Sequence, residues 1–198
     1  MKVLLVQPRQ MRRAGFRAGF RTMAVVEPLG LEMVAASAGA DHQVELLDLL
    51  PGTDLERNVG RSVPDVCGIS CSFTVDVPAT LHIARTIKEL RPSCFVFVGG
   101  HHASLNPGDF AVPWVDAVAV GEGEAVAPGL LRALAGGDDL QDVPGLVLNT
   151  AQGQVATAPQ PLIAKLDELP LPRRPLVDRW RKSYHLGVRG PLSSLETA

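Results

Sequence analysis

Small and hydroxyl-bearing residues cluster at the ends of three apolar, strand-like segments. Residues of these types let a ligand approach the backbone closely and form hydrogen bonds with it. Gly99-Gly100 removes side chains where one segment ends, and Gly121-x-Gly123 does the same at another. Hydroxyls that can both donate and accept hydrogen bonds are added by Ser70, Ser72, Thr74 and Ser104. A single glycine more often just turns the chain, but three segment ends equipped in this way together favour a ligand.

Histidine and cysteine form no recognisable catalytic or metal-ligating pattern. His101 and His102 are adjacent, and two rings on an extended chain point to opposite sides, so a hydrogen-bonding or packing role is favoured while one ring can still approach a ligand. Cys67 and Cys71 fall on one face of a strand-like segment, and Cys94 is the only other thiol. No further ligands stand at metal-binding spacing, so the three cysteines are predicted to be buried core residues.

Several function classes are disfavoured by what the sequence lacks. No G-x-G-x-x-G follows the first apolar segment and no G-x-x-x-x-G-K-[ST] occurs, which argues against dinucleotide and nucleoside triphosphate sites. A net charge of -2 gives no reason to expect a nucleic-acid partner. Three cysteines, no signal-peptide pattern and no membrane-spanning apolar run predict reduced thiols and a cytoplasmic location.

Apolar strand-like runs alternate with helix-like segments through the first part of the chain, which is typical of a parallel sheet with crossover helices. The pattern predicts an α/β, flavodoxin-like (Rossmann-like) doubly wound sheet of five parallel strands. The strand order cannot be read from the pattern, and we expect 2-1-3-4-5 because it is the commoner order for five strands. The predicted strands are 2–7, 43–50, 65–71, 94–98 and 116–120, and the predicted helices are 27–39, 54–63, 78–90 and 125–135.

The character of the chain changes after residue 140. We predict a cofactor-binding α/β domain over 1–140, and over 141–198 a small β-hairpin followed by a proline-rich connector. The hairpin is expected at 143–149 and 154–158, and 159–175 is expected to be extended with at most one short helical turn. Residues 176–198 show no hydrophobic period that would close a second core.

Ligands of open parallel sheets bind beyond the carboxyl ends of the strands. This rule selects four loops on geometric grounds, after the first, third, fourth and fifth strands: 8–21, 72–77, 99–104 and 121–124.

At these loops the sequence resembles the amino-terminal cobalamin-binding domain of cobalamin-dependent radical S-adenosylmethionine enzymes of the methyltransferase type. The resemblance rests on the order and spacing of several short motifs along nearly the whole chain. They are Val3-Leu4-Leu5-Val6-Gln7-Pro8, Glu27-Pro28-Leu29-Gly30-Leu31-Glu32, Gly68-Ile69-Ser70-Cys71-Ser72-Phe73-Thr74, Gly99-Gly100-His101-His102-Ala103-Ser104, Gly121-Glu122-Gly123-Glu124 and the connector 162–170. The second motif is similar to that of hopanoid methylases.

The resemblance implies that cobalamin lies on the carboxyl edge of the sheet, with its nucleotide tail beside the exits of the third, fourth and fifth strands. It implies that the residues from Ser72 to Val75 meet the lower corrin face, that Gly99, Gly100 and Ser104 line the tail, and that 121–124 contact its sugar or amide groups. The cofactor-binding residues expected on this basis are Gln7, Pro8, Arg9, Ser70, Ser72, Phe73, Thr74, Val75, Asp76, Gly99, Gly100, His101, His102, Ser104, Gly121, Glu122, Gly123 and Glu124.

Two departures from related cobalamin proteins shape the expected chemistry. Many carry D-x-H-x-x-G after the first strand, whose histidine ligates cobalt, but Gln7-Pro8-Arg9-Gln10-Met11-Arg12 has no histidine. The radical enzymes commonly lack that motif too, so we expect base-off cobalamin without a protein histidine on cobalt.

The family's catalytic half begins with C-x-x-x-C-x-x-C, which holds a [4Fe–4S] cluster and S-adenosylmethionine. Residues 193–198 resemble the lead-in to that motif, whose cysteines do not follow. This chain is therefore expected to bind neither group and not to be catalytic alone. It is expected to be either a fragment or a standalone module, and its expected partner is a radical S-adenosylmethionine domain in cis or in trans.

Two other readings remain open from the sequence. The chain could be a non-catalytic cobalamin carrier, sensor or light-responsive regulator, or bind haem through His101 or His102 instead. A flavodoxin-like or response-regulator-like domain without cobalamin is disfavoured, because Gln7-Pro8 stands where an acidic cluster or phosphate loop would be needed.

Overall fold

Seven strands form the central sheet of the computed structural model, which describes residues 1–9, 24–50, 52–186 and 189–195. In chain order they are β1 (Lys2–Gln7), β2 (Gln43–Asp48), β3 (Val66–Ser70), β4 (Phe95–Gly99), β5 (Ala117–Ala119), β6 (Leu146–Thr150) and β7 (Gly153–Ala156). The first five are parallel and stand in the order β2-β1-β3-β4-β5, which confirms the predicted flavodoxin-like arrangement. The predicted hairpin, β6 and β7, continues the same sheet as antiparallel strands beyond β5.

The apolar run of β1 shows how the sequence builds two cores. Successive side chains of a strand point to opposite faces, so Val3 and Leu5 join one hydrophobic cluster while Leu4 and Val6 join the other. Because helices cover both faces, the strand needs apolar residues at every position rather than at alternate ones.

Within the described residues the strands are accompanied by five α-helices: α1 (Leu29–Ser37), α2 (Leu55–Ser62), α3 (Val77–Leu90), α4 (His101–Leu105) and α5 (Gly123–Gly136). Buried residues of α1 and α5 join the cluster on one face of the sheet, and those of α2, α3 and α4 join the other. The side chain of Asp54 caps α2 by accepting a hydrogen bond from the backbone N–H of Arg57 at 2.9 Å. None of the described helices combines the length and the apolar character needed to cross a bilayer.

The segment after the hairpin packs against the domain, although its sequence showed no hydrophobic period. A 3₁₀-helix at Leu166–Glu168 is the one short turn expected in the connector, and a longer one covers Arg174–Ser183. The latter contacts β2, and isolated apolar residues rather than a periodic stripe are buried: Val177 and Tyr184 lie in the core beside α1 and β1. A two-residue ladder then pairs His185–Leu186 with Ala24–Val25.

Candidate functional site

The carboxyl ends of β3 and β4 meet in close contact. Ser70 pairs with Gly99 in the ladder, and the backbone N–H of Cys71 donates to the Gly99 carbonyl at 2.7 Å. Gly100 has a φ of +108°, and a Cβ there would lie 2.8 Å from the Cys71 carbonyl oxygen. Only glycine allows both this φ and this short distance to Cys71. The absence of a side chain at the end of β4 is therefore required by the neighbouring strand, and it also suits a ligand.

An apolar pair stands exposed at the exit of β3. Phe73 is 68% exposed and Val75 60% exposed, on either side of Thr74 in the turn that leads into α3. Exposed aromatic and branched side chains at a sheet edge that otherwise carries glycine and hydroxyl groups form a surface suited to the apolar face of a ligand. Asp76 closes this turn, and burial raises the pKa of its carboxyl while Arg9 lowers it.

The two histidines diverge, as expected, but they do so at the start of the short helix α4 rather than on an extended chain. His101 is exposed. His102 is buried, with its Nε2 2.9 Å from Asp109 Oδ2 and its Nδ1 3.1 Å from the Thr74 hydroxyl. His102 therefore joins the β3 exit to the segment after α4. Asp109 was missed because its side chain meets the ring only through the tertiary fold.

Residues 121–123, at the exit of β5, make contacts within the protein that explain some of their residue types. Ser104 Oγ accepts a hydrogen bond from the backbone N–H of Gly121 at 3.0 Å. A Cβ on Gly123 would lie 2.8 Å from Val34, so this glycine allows α5 to pack closely on α1. Glu122 accepts from the backbone N–H of Ile163 at 2.6 Å and so holds the connector.

A buried carboxylate organises the exits of β1 and β2. Asp48, fully buried at the end of β2, accepts from Arg9 Nε at 2.7 Å and from the Tyr184 hydroxyl at 3.1 Å. Arg9 also donates to the Val26 carbonyl at 2.9 Å, so its guanidinium links the end of β2 to the segment before α1. The predicted loop 8–21 lies mostly outside the described residues. Burial and the nearby Asp48 carboxylate raise the pKa of Tyr184 far above its usual value.

A second buried carboxylate holds the C-terminal segment to the start of α1. Glu27 is paired with the Arg174 guanidinium and also accepts from the backbone N–H of Ser194. Arg174 donates in turn to the Ser194 carbonyl at 2.8 Å. Glu32, one turn into α1, is fully buried, and neither carboxylate oxygen has a hydrogen-bond partner among the described residues. Burial and the neighbouring Glu27 raise the pKa of Glu32.

The predicted site residues thus fall into two groups along one edge. Those at the exits of β3, β4 and β5 lie together: Ser70, Ser72, Phe73, Thr74, Val75, Asp76, Gly99, Gly100, His101, His102, Ser104, Gly121, Glu122, Gly123 and Glu124. Gln7 ends β1 and Pro8 and Arg9 follow it; Pro8 is buried and Arg9 is paired with Asp48. The sequence analysis did not identify Asp48, Arg174 or Tyr184, although an acidic residue closing an apolar strand was a usable signal for the first.

The three thiols lie in the core. All three cysteines are buried and unpaired, and burial raises the pKa of Cys94 to about 11. Thiols in such surroundings are protonated and inert at neutral pH. Within the described ranges, no group of three or more histidine, cysteine, aspartate or glutamate side chains could hold a metal ion.

Similarity to known proteins agrees with this geometry. Residues 21–131, more than half of the chain, match the family described as the B12 binding domain. The chain is 40% identical over 177 residues to the hopanoid C-3 methylase of Methylococcus capsulatus, covering 86% of this chain and 33% of the methylase. It is 28% identical over 168 residues to an anaerobic magnesium-protoporphyrin IX monomethyl ester cyclase of Synechocystis, covering 81% of this chain and 34% of the cyclase. The chain spans about a third of the length of these relatives.

Solved structures share the fold. The cobalamin-dependent S-adenosylmethionine radical enzyme OxsB with aqua-cobalamin bound superposes with a TM-score of 0.72 at 21% identity, over 91% of this chain and 25% of that one. The radical S-adenosylmethionine methyltransferase TsrM from Kitasatospora setae, with cobalamin and a [4Fe–4S] cluster bound, gives 0.65 at 22% identity, over 86% and 31%. Together with the match over residues 21–131, the carboxyl-edge geometry leads to one conclusion: this chain belongs to the B12 binding domain family.

Proposed function

We propose that the chain binds cobalamin across the exits of β3, β4 and β5, as the B12-binding part of a radical S-adenosylmethionine methyltransferase-type enzyme. The observation that carries the proposal is the exposed apolar turn of Phe73 and Val75 beside the glycine-bare exit of β4. A corrin ring has broad apolar faces and an amide-rich rim, and this edge offers apolar side chains flanked by hydroxyl and backbone polar groups.

The positions of the side chains divide the binding roles. Residues 72–75 would meet the lower corrin face, which the exposure of Phe73 and Val75 supports. Gly99, Gly100 and Ser104 would line the nucleotide tail between the exits of β4 and β5. The backbone around Gly121, together with the half-buried Glu124, would contact the polar groups of that tail.

Base-off binding without a protein histidine on cobalt is the second element of the proposal. Residues 7–26, which follow β1, contain no histidine. His102 is buried, and both of its ring nitrogens lie within hydrogen-bonding distance of protein groups, so it is poorly placed to ligate a metal. His101 is the exposed histidine at this edge, and its variant is therefore the sharpest test of cobalt ligation.

The role in a larger enzyme rests on the relatives. Bound cobalamin supplies a cobalt ion that can carry a methyl group, and methylase, methyltransferase and radical S-adenosylmethionine enzyme are the activities named for the similar proteins. A [4Fe–4S] cluster and S-adenosylmethionine would belong to a partner domain, in cis or in trans. Such a domain would face the exposed edge at Phe73, where the cofactor would be shared.

The test is a titration of the purified chain with hydroxocobalamin, followed by calorimetry and absorbance. The proposal expects saturable one-to-one binding and a base-off spectrum. The EPR spectrum of the reduced Co(II) form should lack the splitting that an axial nitrogen causes, and His101→Ala should leave both spectra unchanged. Absence of binding would reject the function, whereas an axial-nitrogen signal lost in His101→Ala would reject only the histidine-free ligation.

A standalone carrier or sensor that binds haem is the second candidate, and the exposure of His101 favours it. Titration with haem under the same conditions discriminates the two. Stronger binding of haem than of cobalamin, with a Soret band that shifts in His101→Ala, would support this candidate against the first.

A further inference from the structure

Thr74, His102 and Asp109 form a continuous hydrogen-bonded chain that ends at the exposed edge. Asp109 Oδ2 lies 2.9 Å from Nε2 of His102, and Nδ1 of the same ring lies 3.1 Å from Thr74 Oγ1. The imidazole is 6% exposed and its edge packs against the Phe110 ring, so its orientation is held by burial as well as by hydrogen bonds. Thr74 itself is exposed, between Phe73 and Val75.

The chemistry of the three groups sets the direction of both hydrogen bonds. An ionised carboxylate can only accept, so Nε2 of His102 carries the proton that Asp109 receives. In a neutral imidazole the other nitrogen is then an acceptor. The amide of Asn106 lies 3.5 Å from Nδ1, at the limit of hydrogen bonding, which leaves the Thr74 hydroxyl as the principal donor to it.

A threonine hydroxyl has one proton and two lone-pair directions. Once its proton is committed to His102, the oxygen can present only lone pairs to the edge. Resting on the function proposed above, we propose that Asp109 and His102 are positioning residues that orient Thr74 as an obligatory acceptor, and that it receives a hydrogen bond from an amide N–H of the cobalamin periphery.

This assignment gives a reason for burying a histidine beneath an exposed turn. A hydroxyl that is free to rotate can satisfy either a donor or an acceptor, and the ligand must order it on binding. Because the Thr74 hydroxyl proton is already donated to His102, the oxygen favours an N–H donor of the ligand over a carbonyl acceptor of the ligand. Thr74 is thus the residue that touches the ligand, and Asp109 acts only through His102.

The first arm of the test needs no cobalamin. Histidine side-chain ¹⁵N NMR of the whole chain, assigned with His102→Asn, should show Nε2 protonated and Nδ1 unprotonated. In Asp109→Asn the side-chain amide can donate to Nε2, so the Nδ1–H tautomer should become populated. Asp41→Asn, an exposed aspartate between α1 and β2, is the control and should leave the His102 signals unchanged. An Nδ1–H tautomer in the wild-type chain would overturn the inference.

The second arm measures the dissociation constant for hydroxocobalamin. Thr74→Val keeps the shape but removes the oxygen, and it should weaken binding about five- to tenfold, as expected for one hydrogen bond. Thr74→Ser should restore affinity to within about twofold, and Asp109→Asn should weaken it about threefold, since the bond is misdirected rather than deleted. Equal affinity of wild type and Thr74→Val would overturn only this inference. Failure of the wild-type chain to bind would overturn the proposed function and this inference with it.

Discussion

The two halves of the carboxyl edge of the sheet differ in what they bury and what they expose. At the ends of β1 and β2, charged groups are buried and paired: Asp48 with Arg9 and Tyr184, and nearby Glu27 with Arg174. At the exits of β3, β4 and β5, apolar side chains are exposed and the backbone is bare. The C-terminal segment covers the first half, through Arg174 and Tyr184. The second half is left open, which is what a cofactor surface requires.

Whether a side chain has a structural or a binding role is therefore indicated by its polarity and its burial taken together. A buried charge costs free energy unless it is paired, so its presence marks a structural connection. An exposed apolar pair also costs free energy in water, so its presence marks a surface that something else covers. Four substitutions test this division by the change in stability expected at each place.

The largest loss of stability is expected on replacing Arg174, which would leave Glu27 buried without its cation. Arg174→Ala should lower the free energy of unfolding by about 2–3 kcal/mol, which is less than the roughly 3–5 kcal/mol of a fully buried broken pair because Arg174 is partly exposed. Urea denaturation followed by circular dichroism measures it. Arg181→Ala is the matched control from the same 3₁₀-helix, because Arg181 pairs with the exposed Asp178 and should change stability little. Equal effects of the two variants would contradict the distinction.

A smaller loss is expected at Asp48. Tyr184→Phe deletes only the hydroxyl that donates to this carboxylate, so the free energy of unfolding should fall by about 1.5–2 kcal/mol. This is the lower part of the roughly 1.5–3 kcal/mol range for hydrogen bonds to charged groups, because Arg9 still pairs with Asp48. The ring remains in the core, so near-ultraviolet circular dichroism should still report a folded chain. An unchanged denaturation midpoint would mean that Arg9 alone satisfies Asp48.

Glu32 should respond to pH in the opposite sense from an acid whose pKa is lowered in the folded state, because burial and Glu27 outweigh the Arg174 guanidinium 3.9 Å from its carboxylate. Its pKa in the folded chain is raised by burial and by Glu27, so the folded state holds this proton more tightly than the unfolded state does. Its favourable contribution is complete below the unfolded value of 4.5 and is lost as pH rises through the folded pKa. Glu32→Gln should therefore be more stable than wild type at pH 7, and this advantage should shrink as the pH is lowered toward 4.5. Urea unfolding at each pH measures the difference in free energy of unfolding between Glu32→Gln and wild type. A difference that stays constant with pH would refute the prediction.

The smallest change in stability is expected at the open half of the edge. Phe73→Ala should alter the free energy of unfolding by less than about 0.5 kcal/mol, because the ring is exposed in the free chain. The same variant should weaken cobalamin binding about tenfold, since the corrin would bury that ring. Leu171→Ala, at an 88% exposed position in the connector, is the control and should change neither quantity. Tight binding by Phe73→Ala would place the cofactor elsewhere.

Much of the fold was predictable because it depends on local patterns. The run from Val3 to Val6 is apolar at every position, which only a strand covered on both faces requires. Glycines after β4 and β5 marked the ends of those strands, and the alternation of segments predicted the parallel sheet. The tail was not predictable in this way, since Val177 and Tyr184 are single buried residues without a period.

The sequence predicted which loops form the candidate site, but it did not predict the side-chain contacts within that site. Ser72 to Val75 and Gly99 to Ser104 follow strands, so the rule for parallel sheets brings them to one edge from the sequence alone. Which of the two histidines would be buried, and that Asp109 would orient it, depended on how α4 and the segment after it pack beneath the β3 turn.

Periodicity, chain direction and composition were enough to predict the parallel strands, the edge that carries the loops and the residue types available there, whereas the order 2-1-3-4-5 was expected only as the commoner order for five strands. The tertiary structure alone decided that Glu27 meets Arg174 and that Asp48 meets Tyr184, across 147 and 136 residues of chain. Pairs so distant leave no local signal, since each partner looks like an ordinary charged or aromatic residue until folding removes water from both. That pairing, rather than any motif, divides the edge into a closed half and an open one.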